Sequence, residues 1–68
     1  MPRNNHTFQQ GETFNGTVEN ETIVIREVRE HTVVWDYQVN GKTLNRSPIE
    51  KEKARTYIQS GYWNKPLA

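Results

Sequence analysis

The sequence predicts an α+β protein: a small antiparallel β-sheet with one C-terminal helix, in the order β-β-β-β-α. Three observations predict it. Along 32–39, Val33, Trp35, Tyr37 and Val39 alternate with Val34, Asp36 and Gln38, the period-two pattern of a half-buried strand. Asn40-Gly41 follows directly, and it is the strongest short hairpin signal because a type I′ turn needs φ > 0 at both central residues. Ser47-Pro48-Ile49-Glu50 then reads as a helix start. Ser47 is the expected N-cap, Pro48 the first helical residue, and Glu50 reaches back to complete a capping box. Short strands spaced at roughly ten residues suggest a small barrel or a strongly bent sheet.

Taken in order, residues 1–6 are polar and expected to be disordered. A first strand is expected over about 12–17 with Phe14 inward, and Asn15-Gly16 marks a turn or a bulge. The second, over 21–29, is dense in β-branched residues. Its alternation is imperfect: Ile23 and Ile25 share one face, Val24 and Val28 the other. Either both faces are partly covered, or a bulge near Arg26 moves Val28 inward. The third strand is 32–39 and the fourth 42–46. A two-residue turn sets Val39 opposite Lys42, Tyr37 opposite Leu44 and Trp35 opposite Arg46, which would lay the Arg46 guanidinium on the Trp35 indole. The helix is expected over 48–60, with Ile49, Ala54, Tyr57 and Ile58 on its apolar stripe. Gly61 is its left-handed cap and Tyr62 folds back on the last turn, leaving a tail over 61–68.

Sixty-eight residues make one domain, and a chain of this size buries only about 60% of its unfolded surface. Apolar residues make up 32% and the mean hydropathy is −1.00, so the core is thin. Such domains often lean on disulfides, metal or a partner subunit. There is no cysteine, and the two histidines, His6 and His31, are far apart. Disulfides and thiolate metal sites are thereby excluded, no metal or cofactor is expected, and a homo-oligomer is the remaining support. The net charge is +1, with both signs interleaved, which does not mark a strong polyanion binder. No signal-peptide core or membrane-length apolar run appears, so a cytoplasmic, non-membrane protein is expected.

The inventory for catalysis is poor. No nucleophile stands at motif spacing from a histidine, and no glycine-rich phosphate loop is present. Asp36, the only Asp, falls opposite the core face and reads as a surface charge. A non-enzyme is expected. The distinctive resource is aromatic: Trp35, Tyr37, Tyr57, Tyr62 and Trp63. Each is either core area in a thin domain or part of a binding surface. The surface reading fits Trp63 best, because it lies outside any periodic pattern near the chain end. Arg46 and Arg55 are the candidate charge-assisted donors beside these rings. The candidate binding set is therefore Trp35, Arg46, Arg55, Tyr62 and Trp63.

The layout is also that of a known class. Gln10-Gly11-Glu12-Thr13-Phe14 leads into Ile23-Val24-Ile25 and Val33-Val34-Trp35. A hairpin at Gly41 then leads to Ser47-Pro48-Ile49 and Tyr57-Ile58-Gln59-Ser60-Gly61-Tyr62-Trp63. This resembles the very small SH3-like β-barrel accessory proteins, with a terminal helix, that phage and other mobile elements encode. The resemblance covers most of the chain, rests on layout, and carries no site motif. It implies a compact non-enzymatic protein, often a homo-oligomer, that binds a host protein, a nucleic acid or a small signalling ligand. The first expectation is a protein-binding inhibitor or regulator. The alternatives are a single-stranded nucleic-acid binder, using aromatic platforms in a basic groove, and an oligomeric sponge for a nucleotide-like ligand.

Overall fold

A computed structural model of the chain describes residues 6–65. The expectation of disorder over residues 1–5, and the end of the tail at 66–68, lie outside the described residues. The architecture is α+β: strands β1 (Thr13–Asn15), β2 (Glu21–Val28), β3 (Thr32–Val39) and β4 (Lys42–Glu50), then helix α1 (Lys51–Ser60). The strands form one antiparallel meander in the order β1-β2-β3-β4. The sheet is open: β1 and β4 are its two edges, and the chain after α1 returns to β1 through a bridge between Asn15 and Asn64.

Local chemistry accounts for the turns and bends. Asn40 and Gly41 have φ of 54° and 80°, the two positive values of a type I′ turn. The turn holds Val39 opposite Lys42 and Gln38 opposite Thr43, but the register then slips. Leu44 is the extra residue of a β-bulge, so Tyr37 faces Asn45, Asp36 faces Arg46 and Trp35 faces Ser47. This corrects the expected pairs Tyr37–Leu44 and Trp35–Arg46. Because side chains alternate, a one-residue slip moves Arg46 to the face opposite Trp35. Leu44 is left exposed on the edge strand. A second irregularity, between Ile25 and Glu27, is the bulge expected near Arg26. It pairs Val28 with inward-facing Val33, and Val28 packs on the core.

The helix begins at Lys51, three residues later than expected, with Glu50 as an extended N-cap that makes no side-chain cap bond. The capping box at Ser47 does not form. Thr32, Val33 and Val34 instead pair with Glu50, Ile49 and Pro48, and the Lys51 N–H donates to the His31 carbonyl at 2.9 Å. A continued ladder satisfies several backbone groups where the cap would satisfy two. Pro48 is tolerated because β4 is an edge strand.

The core is Phe8, Phe14, Ile23, Ile25, Val33, Ala54 and Trp63, with Val28, Trp35, Ile49, Tyr57 and Ile58 packed around it. Burying each large side chain contributes about 1.5–3 kcal/mol. The first described residue belongs to this packing. His6 sets its ring edge-on to Phe8 at 4.8 Å, and its Nε2 meets the Glu12 carboxylate at 2.8 Å. The same carboxylate pairs with Lys65, so Glu12 ties the chain before β1 to the segment after the helix. Burial pushes the Glu12 carboxyl up, but the hydrogen bonds from Lys65, His6 and the Gln9 N–H together hold it below its usual value.

Candidate functional site: an aromatic groove

Period two places Trp35 and Tyr37 on the same face of β3, with Ile25 and Ile23 opposite them on β2. Tyr57 comes from the last full turn of α1. Gly61, in the left-handed conformation, then reverses the chain, and the N–H groups of Tyr62 and Trp63 donate to the Tyr57 carbonyl at 2.9 and 3.2 Å. This return lays the Trp63 ring 5.3 Å from Trp35, 5.7 Å from Tyr57 and 5.6 Å from Phe14. Between sheet and helix end there remains a groove of about 390 Å³. Trp35, Tyr37, Tyr57, Tyr62 and Trp63 line it, with Ile23 in the floor and Thr17 and Glu21 at one side.

The rings form two perpendicular pairs. Trp35 and Tyr37 meet at 80° and Tyr57 and Tyr62 at 76°. Tyr62 is 59% exposed and makes the lip, while Trp63 at 4% is the floor. Among the described residues, Glu21 is the one charged side chain in the lining. Its Oε1 accepts the Thr17 N–H at 3.0 Å and the Val18 N–H at 3.4 Å, and its Oε2 accepts the Tyr37 hydroxyl proton. The Tyr37 bond, then the two backbone donors, hold the Glu21 carboxyl below its ordinary value. Tyr37 is raised in turn, because its hydroxyl donates to that carboxylate. Gly16 is what admits this arrangement: a Cβ there would lie 2.1 Å from the Glu21 Oε1.

The opposite face of β3 carries a different cluster. Asp36, expected at the surface, is fully buried. Its Oδ1 accepts Arg46 Nε at 2.5 Å, and its Oδ2 accepts Arg46 Nη2 at 3.0 Å and Arg26 Nε at 2.5 Å. Alternation correctly put Asp36 away from the aromatic core; what it does not reveal is that two guanidiniums from the flanking strands cover the carboxylate. The Arg46 hydrogen bonds, reinforced by Arg26, lower its pKa to about 2.

Of the five candidate binding residues, the fold brings Trp35, Tyr62 and Trp63 into one groove. Trp63 is there as buried floor, not as the exposed anchor expected of it. Arg46 is committed to Asp36 on the far face. Arg55 donates from Nε to the His6 carbonyl at 3.0 Å and lies over the Phe8 ring, away from the groove. Sequence reasoning left Glu21, Ile23, Tyr37 and Tyr57 out of the candidate set. Glu21 was legible by parity, since 21, 23 and 25 share a strand face, but a charge at a strand end gives no cue that a tyrosine hydroxyl will hold it.

Among the described residues no cluster of three or more His, Cys, Asp or Glu side chains is placed to hold a metal, and no helix is long and apolar enough to cross a membrane. No family model, curated protein or solved structure matches the chain.

Proposed function

We propose that this chain is a small non-catalytic protein-binding module, an inhibitor or regulator, that captures a segment of its partner in the aromatic groove. The observation that carries the reading is a half-exposed tyrosine lip over a ring-lined groove of about 390 Å³. Tyrosine and tryptophan are the residues that dominate protein-interface anchors, supplying large area at low entropy cost. Tyr62 is 59% exposed, and its ring meets Tyr57 edge-on at 5.8 Å between centroids.

The sheet belongs, in this proposal, to the SH3-like class in a partly open form, with the Asn15–Asn64 bridge spanning part of the gap beside β1. Nucleic-acid and nucleotide readings draw less support. Base-stacking platforms work beside cations that meet phosphate, whereas among the described residues no Lys or Arg lines this groove, and Glu21 would repel an anion.

Selection of a random-peptide display library on the protein tests the reading. Binders are expected to be enriched and to lose affinity for Tyr62→Ala. Binders that hold Tyr62→Ala as tightly as the parent would place the interface elsewhere. The homo-oligomer is a separate part of the proposal: sedimentation at micromolar concentration should show association, and a clean monomer would remove that part alone.

A further inference from the structure

Resting on the groove as a partner-binding site, we propose that its preferred occupant is a weakly hydrated organic cation on the partner segment, of the N-methylated ammonium type. Three features favour it. First, the lining contains two near-perpendicular ring pairs, at 80° and 76°, so ring faces and edges both border the groove. A cation over such faces is attracted by their negative quadrupoles, and quaternary ammonium groups are the ligands that aromatic cages recognise. Second, the charge of the lining is negative and fixed. Glu21 is pinned at the side of the groove by the Thr17 and Val18 N–H groups and the Tyr37 hydroxyl, which keep it ionised without neutralising its charge. Third, among the described residues no Lys or Arg lines the groove; Arg26 and Arg46 pair with Asp36, and Lys65 with Glu12.

Methylation matters because an unmodified ammonium is strongly hydrated. It would surrender that shell on entering a site whose Glu21 oxygens already hold three donors. A methylated ammonium gives up less water and fills more of the ring surface. The groove is also larger than one such headgroup, leaving room for the chain that carries it.

The test uses choline and its uncharged isostere 3,3-dimethylbutan-1-ol as probes, followed by tryptophan fluorescence of Trp35 and Trp63. The two probes share shape and differ in charge. Choline is expected to give a saturable change and to bind at least about threefold tighter than the alcohol. In Glu21→Gln the ratio should shrink toward one, and in Tyr62→Ala both probes should weaken. Equal affinity of the parent for the two probes, or no saturable response to choline, would overturn the proposal, and that comparison needs no variant to fold. Failure here together with Tyr62-dependent peptide capture would leave the binding-module reading standing with a neutral occupant. Choline binding without Tyr62-dependent peptide capture would do the reverse.

Discussion

Two faces of one strand are finished to different degrees. On one side of β3, Asp36 is fully buried, and each of its oxygens is met by a guanidinium. On the other, at the positions immediately before and after it, Trp35 and Tyr37 stop half-buried around a groove whose lip, Tyr62, is 59% exposed. The ionic face is closed by the chain's own residues. The aromatic face carries more apolar surface than the chain covers, although the chain is poor in apolar residues. That asymmetry separates what holds the fold from what is left for a partner.

The contrast breaks first, and most heavily, at the groove floor. Trp63→Ala should cost about 3–5 kcal/mol, because the indole fills the space between Phe14, Trp35 and Tyr57. So small a core cannot absorb that loss, and circular dichroism on heating should show no cooperative transition. A melt close to that of the parent would mean the return of the chain after α1 is not part of the fold.

On the closed face, Asp36→Ala should cost about 2–3 kcal/mol in urea titration, the scale of hydrogen bonds to a charged group, discounted because both arginines can reach water. The pH dependence carries the same sign. A carboxyl lowered from its usual 3.8 to about 2 binds its proton more readily in the unfolded chain. Its contribution is therefore complete above about pH 4 and lost as pH falls through about 2. Parent protein should lose stability across that window, and Asp36→Asn should lose less there. Identical acid profiles would contradict the buried ion cluster.

Gly16→Ala has a smaller and more local effect. The added Cβ would meet the Glu21 carboxylate and push it out of its loop. With the acceptor gone, the raised Tyr37 hydroxyl should titrate earlier, readable by absorbance at alkaline pH. An unchanged tyrosine titration would show that Glu21 does not hold Tyr37. Least affected should be Ser47→Ala, within about 0.5 kcal/mol by the same urea titration, since Ser47 lies in β4 and its hydroxyl accepts the exposed Asn45 amide at 2.9 Å. A loss near 1 kcal/mol would point back to a helix cap at Ser47.

Local chemistry made much of the fold legible. Period two gave β3 and its faces, the Asn40-Gly41 turn was set by its positive φ values, and Gly61 with Tyr62 marked the helix end. What stayed hidden depends on long-range pairing. The bulge at Leu44 has no signature in a single strand, yet it decides that Arg46 meets Asp36 and not Trp35. Ser47-Pro48-Ile49-Glu50 carries sound helix-start chemistry, but the sheet overrides it because Thr32 to Val34 offer a competing ladder. Within the site, Trp35, Tyr62 and Trp63 were legible as aromatics. Whether a ring forms a wall, a lip or a floor depends on where the chain turns back, and that is settled by packing on Phe14.

The most direct measurement of the asymmetry is a paired one on Tyr62→Ala: its thermal midpoint, and its affinity for a peptide selected on the parent. The expected result is a midpoint within a few degrees of the parent, since an exposed ring contributes little to stability, together with affinity reduced at least about tenfold, as for an interface anchor. A collapse of the midpoint with peptide affinity intact would show that Tyr62 closes the core and that the groove is not left open for a partner.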